Sequence, residues 1–204
     1  MPNRGRVAIL ISGRGSNMIS LVEAMRDGRI PADPVVVLSN VPDAAGLERA
    51  REFGIATEVV DHRQHKPRRR HDLAVAERLK PYNVDLVCLA GYMRLLTPVM
   101  VEAFRGRMMN IHPSLLPAFP GLHAQRQAIQ YGVRVAGCTV HFVDEECDHG
   151  PILRQASVEV AEGDDEQRLT AKILEQEHLI YPAAVADFFA GVHFDGRRVC
   201  RDQG

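Results

Sequence analysis

Short apolar runs alternate with amphipathic segments along the first half of the chain. The apolar runs predict strands at 6–12, 34–40, 56–60, 84–91 and 107–111. Apolar residues spaced three or four apart predict helices at 16–28, 44–54 and 68–80. The run VDLVCLAG at 84–91 is continuously apolar, as is typical of a central strand covered on both faces. This alternation predicts an α/β fold with a doubly wound, mostly parallel sheet.

The second half of the chain follows a different pattern. It predicts a short helix at 123–132, two alternating strands at 137–143 and 152–160, and a long helix at 164–191. We expect the two strands to be antiparallel at the C-terminal side of the sheet, and the helix to be bent or interrupted at Pro182. An Asp-Gly pair near the C-terminus predicts a hairpin. Since no linker or repeat is visible, we predict one domain over 1–204, with halves at about 1–105 and 106–204.

Composition narrows the class of protein. Hydrophobic residues make up 46% of the chain and charged residues 25%, which is ordinary for a globular domain. A net charge of -1 gives no electrostatic reason to expect nucleic acid. The apolar runs are too short to span a bilayer, and the first residues do not resemble a secretory signal, so we expect a cytoplasmic protein. The four cysteines form no CxxC pair and are expected to be reduced thiols.

The stretch SGRGSN at 12–17 directly follows the first predicted strand. This turn would lie at the carboxyl edge of a parallel sheet, where ligands bind. Gly13 and Gly15 allow close approach of the backbone, and Ser16 or Asn17 is expected to cap the next helix, whose free N–H groups favour an anion. The third glycine of a dinucleotide fingerprint and the lysine of a P-loop are both absent. The stretch therefore favours a mononucleotide or sugar phosphate, unless it is only a tight turn.

The stretch MMNIHPSLLP at 108–117 places a carboxamide and an imidazole at the end of a predicted strand. Asn110 and His112 are two residues apart, so both side chains should point to the same side. Pro113 and Pro117 stiffen the backbone that follows. An amide can donate to a developing oxyanion while an imidazole moves a proton. The alternative is a histidine that merely closes a loop.

The stretch HFVDEECDHGP at 141–151 crowds acids and histidines into a predicted loop. Its spacing matches no standard zinc pattern, so we expect no metal. A carboxylate here could orient an imidazole and stabilise its charged form. The other interpretation is a solvated acidic turn.

Two further features carry charge. The basic cluster HKPRRRH at 65–71 is typical of a solvated helix start, although it could hold an anionic tail. Glu177 shares a predicted helix face with Leu169, Ile173 and Ile180. An acid on an apolar stripe needs a partner, unless it lies at the edge of the stripe in water.

Five segments occur in an order and at spacings that resemble the phosphoribosylglycinamide formyltransferases, which transfer a formyl group from a folate during purine synthesis. These segments are AILISGRGSNM, DLVCLAGYMRLLTP, NIHPSLLPAFPGLHAQRQAI, GCTVHFVDEECDHGPIL and QEHLIYP. The similarity covers about residues 5–190. It implies a Rossmann-like formyltransferase fold, with 10-formyltetrahydrofolate as donor cosubstrate and the amine of glycinamide ribonucleotide as acceptor.

The resemblance also implies roles for individual residues. Asn110 would stabilise the oxyanion, His112 would donate a proton, and Asp148 would favour the charged imidazole and place a water. The ribonucleotide would contact Gly15, Ser16, Asn17 and Glu177. The folate would contact Arg68, Met93, Arg94, Leu95, Leu96, Asn110, Val143, Asp144, Glu145, Glu146, Cys147 and Asp148. The implied partners are small molecules, without nucleic acid or membrane, and the chain would be a monomer or homodimer.

Some positions depart from the family pattern. His149 stands where a glycine is usual, Gln125 replaces a common histidine, and the segment around Arg68 matches poorly. Three alternatives remain. A methionyl-tRNA formyltransferase would be expected to carry an extra C-terminal domain, and a formyltetrahydrofolate hydrolase an extra N-terminal one. A non-catalytic nucleotide-binding module would explain SGRGSN but not the Asn–His–Asp set.

Overall fold

The computed structural model describes residues 4–201. Its elements fall into two compact units, the first ending at Met109 and the second beginning at Asn110. This division lies close to the predicted boundary between the two halves. Whether the chain is one domain over its full length stays a prediction.

The first unit consists of alternating strands and helices. Its strands are β1 (Gly5–Ile11), β2 (Ala32–Ser39), β3 (Thr57–Val59) and β4 (Leu86–Leu89). Its helices are α1 (Ser16–Arg26), α2 (Ala45–Glu52), α3 (Arg68–Leu79) and α4 (Pro98–Ala103), with a short 3-10 helix at Lys80–Tyr82. Strand β1 pairs in parallel with both β2 and β4, and β2 pairs in parallel with β3. The side chains of β1 from Val7 to Ile11 are fully buried, which makes this strand the centre of the core.

The second unit joins antiparallel strands to one long helix. Strand β5 (Met108–His112) begins in the first unit and ends in the second. The remaining elements are α5 (Ala124–Tyr131), β6 (Val135–Phe142), β7 (Ile152–Glu159), α6 (Glu166–Phe189), β8 (Val192–Asp195) and β9 (Arg198–Arg201). Strands β6 and β7 are antiparallel, as are β8 and β9, and α6 packs on β6 and β7. The predicted Asp-Gly hairpin is therefore confirmed.

The strand order confirms the predicted fold class. Strands β1 to β7 form one sheet in the order β3-β2-β1-β4-β5-β6-β7, and β8 and β9 form a separate ribbon. The antiparallel pair β6–β7 lies at the C-terminal side of a mostly parallel sheet, and the chain ends in the long helix and the ribbon. No helix within residues 4–201 is long and apolar enough to cross a membrane.

Three local predictions differ from the structure. Helix α6 continues through Pro182, so the predicted interruption is wrong; a proline removes only one backbone hydrogen bond, and this one is buried with Tyr181 and Val185. Helix α4 was not predicted because its six residues are too few for a clear period. The cap of α1 is Gly15, in the left-handed region at φ 76°, and not Ser16 or Asn17.

Candidate active site

Strand β5 presents Asn110 and His112 on one side. The pleat gives this result directly, because residues two apart on a strand share a face. Met109 and Ile111, on the opposite side, are buried. The His112 side chain is also buried, at 5% exposure, so its imidazole is largely removed from water. The predicted common orientation is confirmed by a shared partner, Asp148.

Asp148 links these two side chains from the loop between β6 and β7. Its Oδ1 accepts a hydrogen bond from Asn110 Nδ2 at 3.4 Å, and its Oδ2 lies 3.3 Å from His112 Nδ1. Oδ2 also accepts the Gly121 backbone N–H at 2.8 Å. The backbone of Asp148 is left-handed, with φ 52°, a conformation that aspartate tolerates better than most residues. The interpretation of 141–151 as a merely solvated turn is therefore wrong at Asp148.

Asp148 is held as a carboxylate. Burial alone would raise its pKa, but the interaction with His141, the Gly121 N–H and the positive charge available on His112 and His141 together outweigh burial. The pKa of Asp148 falls to about 2. The carboxylate therefore places a negative charge 3.3 Å from His112 Nδ1.

The other ring nitrogen of His112 is also occupied. Nε2 lies 2.9 Å from the backbone carbonyl oxygen of Phe119. Because a carbonyl oxygen only accepts, Nε2 carries a hydrogen and donates it. A proton that His112 exchanges with another molecule in this arrangement is therefore the one at Nδ1, on the side facing Asp148.

The loop that supplies Phe119 and Gly121 is fixed by strands β6 and β7. Thr139 Oγ1 accepts the Leu116 N–H at 3.0 Å and donates to the Ser114 carbonyl at 2.7 Å. Gln155 Nε2 donates both to Thr139 Oγ1 at 3.0 Å and to the Leu116 carbonyl at 2.9 Å. Thr139 is fully buried. These bonds hold the chain just after His112 in one conformation.

The loop at 143–148 contacts His149, which stands where the family usually has a glycine. His149 Nδ1 lies 2.9 Å from Asp144 Oδ2, and Arg197 of the β8–β9 turn lies against the same ring. Asp144 Oδ1 also accepts the Glu146 N–H at 3.0 Å. No group of three or more metal-binding side chains occurs in the part of the chain that the structure describes.

Glu177 is buried, with 7% of its surface exposed, on the same face of α6 as Leu169 and Ile173. The interpretation that it stands in water at the edge of the stripe is therefore wrong. Glu177 also affects the thiol of Cys138 on β6. Burial is the larger cause and the negative charge of Glu177 the next, and together they raise the pKa of this thiol to about 12. No disulfide joins any of the four cysteines, all of which lie within residues 4–201.

In the first unit, the turn after β1 has the features of a loop whose backbone a ligand can approach closely. Gly15 has a left-handed backbone, and a Cβ added to it would lie only 3.2 Å from the Gly46 Cα. Ser16 and Asn17 form the first turn of α1, where the helix dipole gives a partial positive charge that favours an anion. Ser12 Oγ donates to Asn40 Oδ1 at 2.5 Å and accepts the Met93 N–H at 2.8 Å.

The segment at 93–96 also belongs to the first unit, between β4 and α4. Met93 and Leu95 are exposed, at 69% and 56%. Arg94 lines a cavity of about 370 Å³ together with Arg68. The other lining residues are all basic too: His62, Arg63, His65 and Lys66. Arg63 is paired with Asp61, whereas the buried Nε of Arg94 has no hydrogen-bond partner among the described residues. Arg68, the poorest match to the family pattern, thus lies in the same cavity as Arg94.

Comparison with known proteins identifies the family of this chain. The family model described as "Formyl transferase" matches residues 5–185, which is most of the chain. The chain belongs to the formyl transferase family. This confirms the resemblance that the five sequence segments indicated.

Relatives of this formyl transferase include both multifunctional and single-function proteins. It is 49% identical, over 90% of its length, to the trifunctional purine biosynthetic protein adenosine-3 of Drosophila melanogaster, but spans only 14% of that protein. It is 44% identical to the phosphoribosylglycinamide formyltransferase of Escherichia coli K12, covering 91% of this chain and 87% of that one. The crystal structure of glycinamide ribonucleotide transformylase 1 from Symbiobacterium toebii superposes with a TM-score of 0.95 at 52% identity, covering 98% and 94% of the two chains.

One side chain of the formyl transferase site was not assigned a role by sequence reasoning. His141 on β6 lies between Asn110 and Asp148: its Nε2 is 3.3 Å from Asn110 Nδ2 and 3.7 Å from Asp148 Oδ1. The sequence pattern marks it only as one of the histidines in the stretch 141–151. Its position two residues after the buried Thr139 on an alternating strand is the signal that it faces inward.

Proposed function

We propose that this chain transfers the formyl group of 10-formyltetrahydrofolate to the amine of glycinamide ribonucleotide, giving the N-formyl product and tetrahydrofolate. The observation that carries the proposal is the contact of Asn110 and His112 with one buried carboxylate, Asp148. The names of the relatives that cover nearly the whole chain support it. No metal takes part in the proposed reaction.

The carboxamide of Asn110 acts on the formyl oxygen. When the amine attacks the formyl carbon, this oxygen gains negative charge, and an N–H donor fixed beforehand stabilises that charge without reorganisation. Asp148 Oδ1 accepts one of the two amide hydrogens, which holds the nitrogen in place and leaves the other hydrogen for the formyl oxygen. Removing one such donor typically costs about 100-fold to 1,000-fold in rate.

His112 supplies the proton that the departing folate nitrogen needs. Nε2 is committed to the Phe119 carbonyl, so the proton leaves from Nδ1. Asp148 Oδ2 faces Nδ1 and stabilises the charged ring before transfer. A water held by the Asp148 carboxylate carries the proton from Nδ1 to the folate nitrogen. The proton that the attacking amine loses returns through the same water to His112, so the ring ends the cycle in the form in which it began.

Two sets of residues bind the ribonucleotide in this proposal. Gly15, Ser16 and Asn17 hold the phosphate through backbone N–H groups at the start of α1. Glu177 accepts hydrogen bonds from the glycinamide end, since a buried carboxylate favours a donor-rich partner.

The folate contacts follow from the family resemblance. Arg68 and Arg94 bind its glutamate carboxylates, because their cavity is lined only by basic side chains. The remaining folate contacts are Met93, Leu95, Leu96, Asn110 and the loop residues Val143, Asp144, Glu145, Glu146, Cys147 and Asp148. The backbone of that loop recognises the pterin ring, with apolar walls on its faces. Cytoplasmic location and a monomeric or homodimeric state stay predictions.

A two-substrate assay tests the proposal. The purified chain is mixed with 10-formyltetrahydrofolate, and release of tetrahydrofolate is followed with and without glycinamide ribonucleotide. We expect turnover only with both substrates. Release without the ribonucleotide would favour the hydrolase, and formylation of methionyl-tRNA would favour the tRNA enzyme; either result contradicts the proposal.

Variants of the same assay test the assigned roles. His112→Ala and Asp148→Asn are each expected to lower kcat at least about 100-fold, since both disable proton transfer. His193→Ala, an exposed histidine on β8, is the matched control and should leave kcat unchanged. Near wild-type turnover by either active-site variant would refute its role.

A further inference from the structure

His149 lies between Asp148 and a glycine that the fold requires. A Cβ at Gly150 would lie 1.9 Å from the carbonyl oxygen of Phe142, so no side chain fits at that position. The position of His149 usually holds a glycine in the family as well, yet here it carries an imidazole whose side chain is 47% exposed. The imidazole is therefore an addition of this chain, at a point where the backbone tolerates a side chain.

The His149 ring contacts two residues that are distant from each other in the sequence. Nδ1 lies 2.9 Å from Asp144 Oδ2, and because a carboxylate only accepts, Nδ1 carries a hydrogen in the neutral and in the charged ring alike. One guanidinium nitrogen of Arg197 lies 3.1 Å from Nδ1 and 2.9 Å from Nε2. A nitrogen in the plane of the ring at these two distances would overlap the carbon between Nδ1 and Nε2, so it stands over the ring face. Arginine commonly stacks on aromatic rings in this way.

These contacts form a bridge, Asp144–His149–Arg197, between the loop at 143–148 and the β8–β9 ribbon. Asp144 uses its other oxygen, Oδ1, to accept the Glu146 N–H at 3.0 Å, so one carboxylate joins the turn of the loop to the bridge. The ribbon is itself anchored, because the ring of Phe194 packs on Phe142 of β6 with centroids 4.8 Å apart. Arg197 therefore offers the loop a fixed point of attachment.

We propose that His149 is a positioning residue that holds the loop at 143–148 in its folate-binding conformation by linking Asp144 to Arg197. A loop that is ordered beforehand loses less conformational freedom when its ligand binds, so the affinity for the folate is higher. This inference rests on the proposed contacts of the loop with the folate. The chemical step is spared, because Asp148 has its own anchor in the Gly121 N–H at 2.8 Å.

Two substitutions each keep one end of the bridge. In His149→Asn the amide nitrogen can replace Nδ1 as donor to Asp144, but no ring remains for Arg197. In His149→Phe the ring face remains for Arg197, but the donor to Asp144 is lost. Neither variant adds the backbone freedom that a glycine would bring. Thermal unfolding of both variants shows that they are folded before their rates are compared.

The expected result is a change in KM for one substrate only. KM for 10-formyltetrahydrofolate should rise about fivefold in both His149 variants and in Arg197→Ala, the size expected for losing surface contacts of this kind. The values of kcat and of KM for glycinamide ribonucleotide should stay within about twofold. A wild-type KM for the folate in either His149 variant, or a loss expressed in kcat, would overturn the proposal.

The matched control is Arg198→Ala, which removes the exposed guanidinium of the next residue and the same charge. Its KM for the folate should stay within about 1.5-fold of wild type. A fivefold rise in this variant would mean that the charge of the ribbon, and not the bridge, sets the affinity, and would overturn the proposal.

A double substitution tests whether the two contacts act as one bridge. In a His149→Asn background, adding Arg197→Ala should change KM for the folate by less than about twofold, because the link to the ribbon is already broken. A full further fivefold rise would mean that Arg197 acts by another route, and would also contradict the proposal.

Hydrogen exchange gives a measurement that does not depend on turnover. In the apo protein the backbone amides of 143–148 should exchange at least about threefold faster in both His149 variants, and at the wild-type rate in Arg198→Ala. If the wild-type chain fails to formylate glycinamide ribonucleotide but these differences appear, the proposed function fails and the bridge stands. Unchanged exchange in both His149 variants would refute the bridge.

Discussion

At the scale of single residues, the site is arranged around one ionised carboxylate. Asp148 receives the Gly121 N–H and lies beside two histidines, and its side chain is only 10% exposed. Its pKa is lowered to about 2, so it is charged throughout the range in which the protein would work. The same contacts that keep Asp148 charged also contribute to folding stability.

The lowered pKa of Asp148 predicts a pH-dependent stability. A carboxyl whose folded pKa of about 2 lies below its unfolded pKa of 3.8 stabilises the fold above pH 3.8 and loses this contribution as pH falls toward 2. The contribution is about 2 kcal/mol at pH 5 and roughly half of that at pH 3. Urea unfolding of wild type and Asp148→Asn should therefore show a free-energy difference that shrinks by about 1 kcal/mol between these pH values.

The control for that measurement is Asp43→Asn, which changes an exposed carboxylate. It reports what the removal of one exposed carboxylate does to the same pair of unfolding curves. A pH-independent difference for Asp148→Asn would mean that its carboxylate is not stabilised by its neighbours.

At the scale of elements, the turn between β1 and α1 contains two glycines with different surroundings: one has free space where a side chain would stand, and the other is closely packed. A Cβ at Gly13 would meet no atom within 4 Å, whereas a Cβ at Gly15 would lie 3.1 Å from Met18 Cε in a left-handed backbone. Packing therefore explains Gly15 but does not explain Gly13. Close approach of a ligand to the backbone is the role that we assign to Gly13.

Gly13→Ala should separate folding from binding. We expect the midpoint of thermal unfolding to stay the same or rise slightly, because the methyl group enters open space and alanine restricts the unfolded chain. The dissociation constant for glycinamide ribonucleotide, measured by calorimetry, should rise about tenfold, or about 1.4 kcal/mol, since the methyl group blocks the phosphate. Unchanged affinity would argue against a phosphate in this turn.

The contact between β6 and the loop after β5 gives a second prediction at this scale. Thr139→Val keeps the shape but removes hydrogen bonds to Leu116, Ser114 and Gln155. Buried polar groups left without partners cost about 1–3 kcal/mol of unfolding free energy. We also expect a lower kcat, because the loop carries Phe119 and Gly121 to the active site. Thr170→Val on α6, which removes one bond to the Glu166 carbonyl, is the control and should change stability by less than about 0.5 kcal/mol.

At the scale of the whole molecule, charge is nearly balanced. Twenty-five basic and twenty-six acidic residues give a net charge of -1 with neutral histidines, and the isoelectric point is about 6.8. The chain has nine histidines, and histidine is the side chain whose ordinary pKa lies between pH 5 and 8. We expect electrophoretic mobility to change sign near pH 6.8 and solubility to be lowest there. A solubility that does not vary between pH 5.5 and 8 would show that local patches, and not net charge, control association.

The sequence by itself determined the elements and the class of the sheet. Among residues 4–201, apolar runs and helical periods predicted strands β1 to β7 and all but the two shortest helices, because such patterns reflect which face of an element is buried. The C-terminal hairpin was predicted from its Asp-Gly turn. The common orientation of Asn110 and His112 followed from the pleat alone. The resemblance to formyltransferases then implied Asp148, which local spacing had left as one interpretation among several.

Only the tertiary structure decided which distant groups meet. Asp148 lies 38 residues from Asn110 in the chain, and no local pattern records that the loop after β6 returns to β5. The burial of Glu177, the shared cavity of Arg68 and Arg94, and the place of His141 behind Asn110 were decided in the same way. The physical reason is that periodicity fixes the direction of a side chain within its element, whereas its partners depend on how elements pair and loops close.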